Sequence, residues 1–176
     1  IEVPNKVAAI VRLGTILPYP EFQKADPLTF VLGRNVSGEP IFTDIAKMPH
    51  LLVAGATGSG KSIMIHSLII SLLYKNSPEM LKLILIDPKR VELSVYDGIP
   101  HLMAPVITKN KEAIGALRWA IQEMDRRYEM FLEAGSRDIK GFNKNKSAGR
   151  LPYIVIIIDE LSDLMTTYGK EVEGSI

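Results

Sequence analysis

One octapeptide, residues 55–62, constrains the fold of this chain more than any other feature. Its residues are Gly55, Ala56, Thr57, Gly58, Ser59, Gly60, Lys61 and Ser62. They match the pattern G-x-x-x-x-G-K-[ST], in which a glycine-rich loop between a strand and a helix wraps its backbone N–H groups around phosphates. The N-terminus of the following helix favours anions through its dipole. The pattern therefore predicts a nucleotide-binding phosphate loop within an α/β fold.

The residues on either side of the phosphate loop have the order that such a loop needs. Residues 51–54 form a short apolar run that predicts a buried strand, and residues 63–74 predict a helix. Within the loop, the Lys61 ammonium can reach the β- and γ-phosphates of ATP, and the Ser62 hydroxyl can ligate Mg²⁺. The alternative is a glycine- and serine-rich turn with an incidental lysine, which the flanking strand and helix patterns disfavour.

The composition fits a globular chain and removes several classes of function. Of the 176 residues, 47% are hydrophobic and 23% are charged, which excludes a disordered tail. The net charge of +1 excludes a uniformly basic nucleic-acid coat. The sequence has no cysteine, which excludes disulfide scaffolds, thiolate metal sites and a cysteine nucleophile. No apolar stretch approaches the ~20 residues needed to cross a bilayer, so this chain is not expected to span a membrane.

Apolar runs alternate with helical patterns along the chain, which is typical of a parallel α/β sheet. Beyond the phosphate loop, the predicted strands are residues 83–86, 102–106 and 153–158. The last of these is so continuously apolar that we expect both of its faces to be covered. Before the loop, residues 29–32 and 40–42 flank a turn sequence and predict a hairpin of two short strands.

The strongest helical pattern covers residues 110–134. Its apolar residues recur at steps of three and four and predict one stripe of core packing. They are Ile114, Leu117, Ile121, Met124, Tyr128 and Phe131. Gly135 follows and is expected to end the helix.

Two adjacent carboxylates, Asp159 and Glu160, close the predicted strand 153–158. Carboxylates at the end of an apolar strand are costly unless they meet a cation or water. With a phosphate loop in the same chain, Asp159 has a natural partner in the Mg²⁺ that accompanies the nucleotide. Glu160 is then suited to orient and deprotonate the attacking water. The alternative for this acidic pair is a strand end that simply reaches solvent.

Two further charged segments remain open to more than one interpretation. The segment 87–90, Asp-Pro-Lys-Arg, also follows a predicted strand. Its charges could therefore contact nucleotide, a neighbouring subunit or a switch. The alternative is a solvated loop with a helix cap. A basic stretch with Phe142 among its residues could track a phosphate backbone, although a solvated surface connection is favoured. Its basic residues are Arg137, Lys140, Lys144, Lys146 and Arg150.

Several segments together resemble the FtsK/SpoIIIE DNA translocases. They are residues 1–5, 48–55, 87–93, 117–120, 123–128 and 151–164. The resemblance covers essentially the whole chain. It implies a RecA-like P-loop NTPase core with a mostly parallel sheet, truncated at its C-terminal side and preceded by a small N-terminal α/β segment. The implied boundaries are 1–45 for the end of the preceding domain and 46–176 for the first part of the core.

The resemblance also implies a function. Motors of this family are ATPases that assemble as homo-hexameric rings on double-stranded DNA and move chromosomal DNA through the division septum, in chromosome partition at cell division. It implies ATP and Mg²⁺ as cofactors, Lys61 and Glu160 as catalytic residues, and Ser62 with Asp159 on the metal. The full-length family lies at the cell membrane through an N-terminal region outside these residues, so this fragment is expected to be soluble and to face the cytoplasm. Most DNA-facing loops are expected outside it as well.

The chain departs from the family pattern at its C-terminal end. RecA-like sheets place a later strand beside the strand 153–158, and here that strand is expected after Ile176, so the fragment alone is expected to be incomplete as an enzyme. A second class of function is a type VII secretion-type protein-export ATPase. The corresponding segment of such proteins resembles D-Y-K-G-G, whereas this chain has Asp87-Pro88-Lys89-Arg90. A third is a nucleotide-binding or ring-building module without turnover, which the intact Lys61, Asp159 and Glu160 disfavour.

Overall fold

The computed structural model describes residues 9–48, 50–56, 58–144 and 149–174. The helices are α1 Pro20–Lys24, α2 Lys61–Lys75, α3 Asn110–Glu133, α4 Ile139–Lys144 and α5 Leu161–Glu173. The strands are β1 Thr29–Arg34, β2 Pro40–Asp44, β3 Leu81–Ile86 and β4 Tyr153–Ile158. The chain divides into two compact units, Ile1–Asn76 and Ser77–Ile176. The domain boundary expected after residue 45 stays a prediction.

The predicted hairpin in the first unit is confirmed. Strands β1 and β2 pair antiparallel from Thr29 opposite Asp44 to Arg34 opposite Pro40. The register shifts between Val31 and Gly33, so the hairpin contains a bulge. Its apolar side packs with α1 and the turn before it, where Phe22 and Phe42 place their ring centres 5.4 Å apart.

Helix α2, which follows the phosphate loop, packs against β1. The backbone N–H of Val31 donates to Ser71 Oγ at 3.2 Å, and Ser67 Oγ donates to the Val31 carbonyl at 3.0 Å. Ser67 and Ser71 lie one turn apart and therefore share a helix face. Together they give both backbone polar groups of Val31 a hydrogen-bond partner.

The C-terminal end of α2 is also hydrogen-bonded to α1 and the residues that follow it. Lys75 Nζ donates to the carbonyls of Phe22 and Ala25, at 2.7 Å each. Burial lowers the pKa of the Lys75 ammonium below its ordinary value of 10.5. The Asn76 side chain donates to the Pro27 carbonyl at 2.9 Å. The predicted helix is thus confirmed, and its packing partners are the hairpin and α1.

The predicted strand at residues 51–54 is wrong. These residues have no regular secondary structure, and Leu52 is 77% exposed. Neither of the two described sheets includes them. A strand needs a neighbour to pair its backbone N–H and C=O groups, and this short run has none among the described strands.

The second unit is built on a parallel pair of strands, as the sequence predicts. Strands β3 and β4 pair in register from Leu81 opposite Tyr153 to Ile86 opposite Ile158. Helices α3 and α5 pack on this pair through Ile114, Leu117 and other apolar side chains. β3 is buried along nearly its whole length, whereas β4 is mostly half-buried. The expectation that both faces of β4 are covered therefore holds only in part.

The predicted strand at residues 102–106 is reduced to two isolated bridges. Leu102 pairs with Leu83 and Ile107 with Ile86, both in parallel orientation. Between them, Met103 donates to the Leu83 carbonyl and Ile107 to the Leu85 carbonyl. Pro105 has no N–H to donate to the ladder, which explains why the pairing is interrupted there.

The helix predicted at residues 110–134 is confirmed as α3, and Gly135 follows it in the left-handed region with φ +63°. The expectation that its whole apolar stripe is core is wrong. Ala113, Ile114 and Leu117 are buried, but Met124 and Tyr128 are 48% and 60% exposed. Only the first half of this long helix packs on the β3–β4 pair, so the stripe leaves the core in its second half.

Candidate active site

The phosphate loop has a backbone that requires glycine at two positions. Gly58 and Gly60 adopt φ values of +80° and +97°, which side-chain-bearing residues rarely adopt. A turn in which Ser59 N–H donates to the Ala56 carbonyl at 3.0 Å folds the loop back. Thr57 lies outside the described residues. The described residues 55–60 are all exposed, so the loop is accessible to a ligand.

Helix α2 begins immediately after the loop. Gly60 is its N-cap, and the first intrahelical bond runs from Met64 N–H to the Gly60 carbonyl at 2.9 Å. The first turn of the helix has backbone N–H groups with no carbonyl partner inside the helix. They belong to Lys61, Ser62 and Ile63. The half-buried Lys61 and Ser62 side chains start from the same turn. This donor-rich, positive helix end fits the phosphates of a nucleotide.

The acidic pair sits where β4 ends. Asp159 is 4% exposed, and its N–H donates to the Ile86 carbonyl of β3 at 2.9 Å. Because β3 and β4 are parallel and in register, Asp87 at the end of β3 is the cross-strand neighbour of Asp159. A buried carboxylate at a strand end is suited to a cation, and the metal role of Asp159 stays a prediction.

Asp87 organises the loop that follows β3. It is fully buried, and its Oδ2 accepts hydrogen bonds from the N–H groups of Glu92 and Leu93 at 3.0 and 2.9 Å. The Arg90 N–H donates to the Asp87 carbonyl at 3.2 Å, with Arg90 in the left-handed region at φ +57°. The segment 87–90 is therefore a folded loop with a buried anchor, and Lys89 and Arg90 are exposed on it.

Glu160 occupies a restrained position at the start of α5. It is the N-cap residue with φ +60° and ψ +63°, a conformation that is strained for a residue with a side chain. Ser162 Oγ donates to Glu160 Oε1 at 2.6 Å. Lys89 Nζ lies 3.5 Å from Glu160 Oε2 and 3.7 Å from Asp163 Oδ2. Sequence reasoning singled out the charge of Lys89 but not these partners.

The phosphate loop belongs to the first unit and the acidic pair to the second, so their use of one nucleotide stays a prediction. Within the part of the chain that the structure describes, no group of three or more His, Asp or Glu side chains could hold a metal ion. In the same residues, no helix has both the length and the apolar character that crossing a membrane requires.

The basic stretch after α3 is only partly suited to nucleic acid. Arg137, Lys140, Lys144 and Arg150 are exposed, and Lys146 lies outside the described residues. The aromatic residue among them is not available for stacking on bases, because Phe142 is 2% exposed and packs against Phe131 with ring centres 5.4 Å apart. Contact of this stretch with DNA stays a prediction that rests on charge alone.

The glycine-rich loop at a helix N-terminus, together with a parallel pair of strands ending in carboxylates, defines a P-loop ATPase fold. Several solved structures resemble it, including the following two. The conjugation coupling protein TcpA of pCW3 superposes with a TM-score of 0.72 at 28% identity, over 89% of this chain and 45% of that one. The cytoplasmic domain of the type VII secretion ATPase EccC of Thermomonospora curvata gives 0.75 at 27% identity, over 94% and 22%.

The sequence comparisons specify the family. The FtsK/SpoIIIE family model matches residues 13–176, and this chain belongs to that family. The DNA translocase FtsK of Clostridium acetobutylicum is 54% identical over all of this chain and 24% of its own length. The DNA translocase SftA of Bacillus subtilis is 50% identical over all of this chain and 19% of its own length. The chain thus spans about a quarter or less of these relatives.

Proposed function

We propose that this chain is part of an ATP-driven motor that translocates double-stranded DNA. The observation that carries the proposal is the match of the entire chain to proteins named DNA translocases, at 54% and 50% identity. The phosphate loop and the acidic pair lie within the matched residues, and their residue types are those that nucleotide hydrolysis needs.

In this proposal each site residue has one role. The N–H groups of residues 55–62 and the Lys61 ammonium bind and orient the phosphates of ATP. Ser62 and Asp159 are the residues that would hold Mg²⁺, and the ion would neutralise phosphate charge. Glu160 orients the attacking water and takes its proton while the bond from the γ-phosphorus to the β–γ bridging oxygen breaks.

The proposal also covers the full-length protein to which these residues belong. We infer a homo-hexameric ring on duplex DNA, with membrane contact at the division septum made by a region outside these residues. The DNA contacts are made mainly by parts outside the chain, in agreement with its net charge of only +1. Movement of chromosomal DNA during partition is the cellular role that follows.

Protein export is the second candidate. It is favoured by the TM-score of 0.75 with a type VII secretion ATPase, which is close to the value for the conjugation protein. The segment 87–90 argues against it, because Asp87-Pro88-Lys89-Arg90 lacks the D-Y-K-G-G pattern expected of that class. The identity of 27% is also about half of that to the DNA translocases.

The experiment that separates the two candidates is an ATPase assay on the full-length protein that contains these residues. We expect linear duplex DNA to stimulate hydrolysis and ATP to drive displacement of a third strand from a triplex. Lys61→Ala is the control that should remove both activities. Stimulation by a secreted substrate peptide, with no response to duplex DNA, would establish export in place of DNA translocation.

A further inference from the structure

One cation lies against two carboxylates at the start of α5. Lys89 Nζ is 3.5 Å from Glu160 Oε2 and 3.7 Å from Asp163 Oδ2. Glu160 and Asp163 are three residues apart at the start of α5, so their carboxylates repel each other. A positive charge close to both offsets this repulsion. The Lys89 side chain is 52% exposed and makes no part of the packed core.

The position of Lys89 is fixed by its loop. Asp87 is buried at the end of β3 and accepts two backbone N–H groups, from Glu92 and Leu93. Arg90 takes up a left-handed conformation and its N–H returns to the Asp87 carbonyl. These bonds order the backbone on either side of Lys89, so its side chain starts from a defined position beside α5.

Two described contacts orient the Glu160 carboxylate, one at each oxygen. Ser162 Oγ donates to Oε1 and Lys89 Nζ approaches Oε2. The left-handed backbone at Glu160 fixes the origin of the side chain, and the two contacts fix its end.

We propose that Lys89 is a positioning residue for the candidate general base Glu160. The proposal rests on the proposed function, in which Glu160 takes a proton from the attacking water. Lys89 acts through Glu160 and does not contact the nucleotide. Its contribution is to hold the carboxylate in one orientation and to offset the repulsion from Asp163, so that the base is in place before water attacks.

The test is steady-state ATP hydrolysis by the full-length protein in the presence of duplex DNA. We expect Lys89→Met to lower kcat by about 10- to 100-fold, while KM for ATP stays within about twofold. Lys89→Arg keeps the charge and should restore most of the activity. Lys109→Met is the matched control, because Lys109 forms an exposed ion pair with Glu112 at 2.8 Å in the same unit.

Measurements in a Glu160→Gln background distinguish the role of Glu160 as general base from the positioning role of Lys89. If Glu160 is the base and Lys89 acts through it, Lys89→Met should cause no further loss in Glu160→Gln. A kcat of Lys89→Met equal to or above wild type, or a rise in KM alone, would overturn the positioning role and leave the proposed function intact. Wild-type turnover by Glu160→Gln itself would overturn the assignment of the base and the inference with it.

Discussion

Arg127 Nε donates to Glu123 Oε1 at 2.7 Å, and Arg127 Nη1 donates to the Pro152 carbonyl, also at 2.7 Å. Arg126 approaches both oxygens of the same carboxylate, at 2.7 and 2.8 Å. The Glu123 and Arg127 side chains are 13% and 14% exposed, unlike ordinary surface ion pairs. This pair therefore connects α3 to the residue that precedes β4.

The stability of the second unit should depend on pH through Glu123. Hydrogen bonds from Arg126, then from Arg127, lower the pKa of Glu123 from 4.5 to about 2. Because the folded pKa is below the ordinary value, this stabilisation is complete above about pH 4.5 and is lost as the pH falls towards 2. Urea unfolding between pH 7 and pH 2.5 should show a difference between wild type and Glu123→Gln that shrinks below pH 4.5. Glu129→Gln, exposed on the same helix, is the control, and a pH-independent difference for Glu123→Gln would contradict the prediction.

Ser71→Ala should destabilise the first unit. Ser71 is fully buried and accepts the Val31 N–H, so its loss leaves a buried donor without its partner. The expected cost is about 1 to 3 kcal/mol in the free energy of unfolding. Thermal or urea unfolding measures it, with the exposed Ser77→Ala as control. Equal stability of Ser71→Ala and wild type would show that water replaces the hydroxyl.

Lys61→Ala should remove nucleotide binding. The substitution deletes the main positive charge at the first turn of α2, and we expect the Kd for ATP to rise on the order of 100-fold. Fluorescent-nucleotide titration of the full-length protein measures the change, with Lys47→Ala, an exposed lysine of the same unit, as control. Binding at wild-type strength would refute the role of Lys61.

Glu160→Gln should separate nucleotide binding from hydrolysis. Glutamine keeps the size and can keep the hydrogen bond from Ser162, but it cannot take a proton from water. We expect ATP affinity within a few-fold of wild type and hydrolysis slower by about 100- to 10,000-fold. Glu173→Gln, exposed near the end of α5, serves as control. Loss of ATP binding in Glu160→Gln would place this residue in binding instead.

The elements that could be predicted from sequence are those specified by local patterns. The loop and helix around Lys61 follow from residue types at fixed spacing, and β3 and β4 follow from apolar runs bounded by charge. The Glu123–Arg127 pair could have been found from its spacing of four on a helix. Each of these signals lies within a few neighbouring residues.

The elements that could not be predicted depend on partners distant in sequence. Residues 51–54 can form a strand only if a neighbouring strand pairs with them. Their apolar character does not indicate whether such a strand is present. The contact of Lys89 with Glu160 requires the loops after β3 and β4 to lie side by side. Tyr128 is exposed because the core covers only part of the length of α3. The periodicity of the stripe predicts which face of the helix is apolar but not how far along the helix the core extends.

The attachment of α2 to the hairpin has a mechanical consequence. The helix has 15 residues and is about 22 Å long, with Lys61 at one end and Lys75 at the other. Ser67, Ser71 and Lys75 fasten it to β1 and to α1 at successive turns. Because these bonds join the helix to the hairpin and to α1 at successive turns, we expect a force on the phosphate loop along the helix axis to be transmitted to the hairpin.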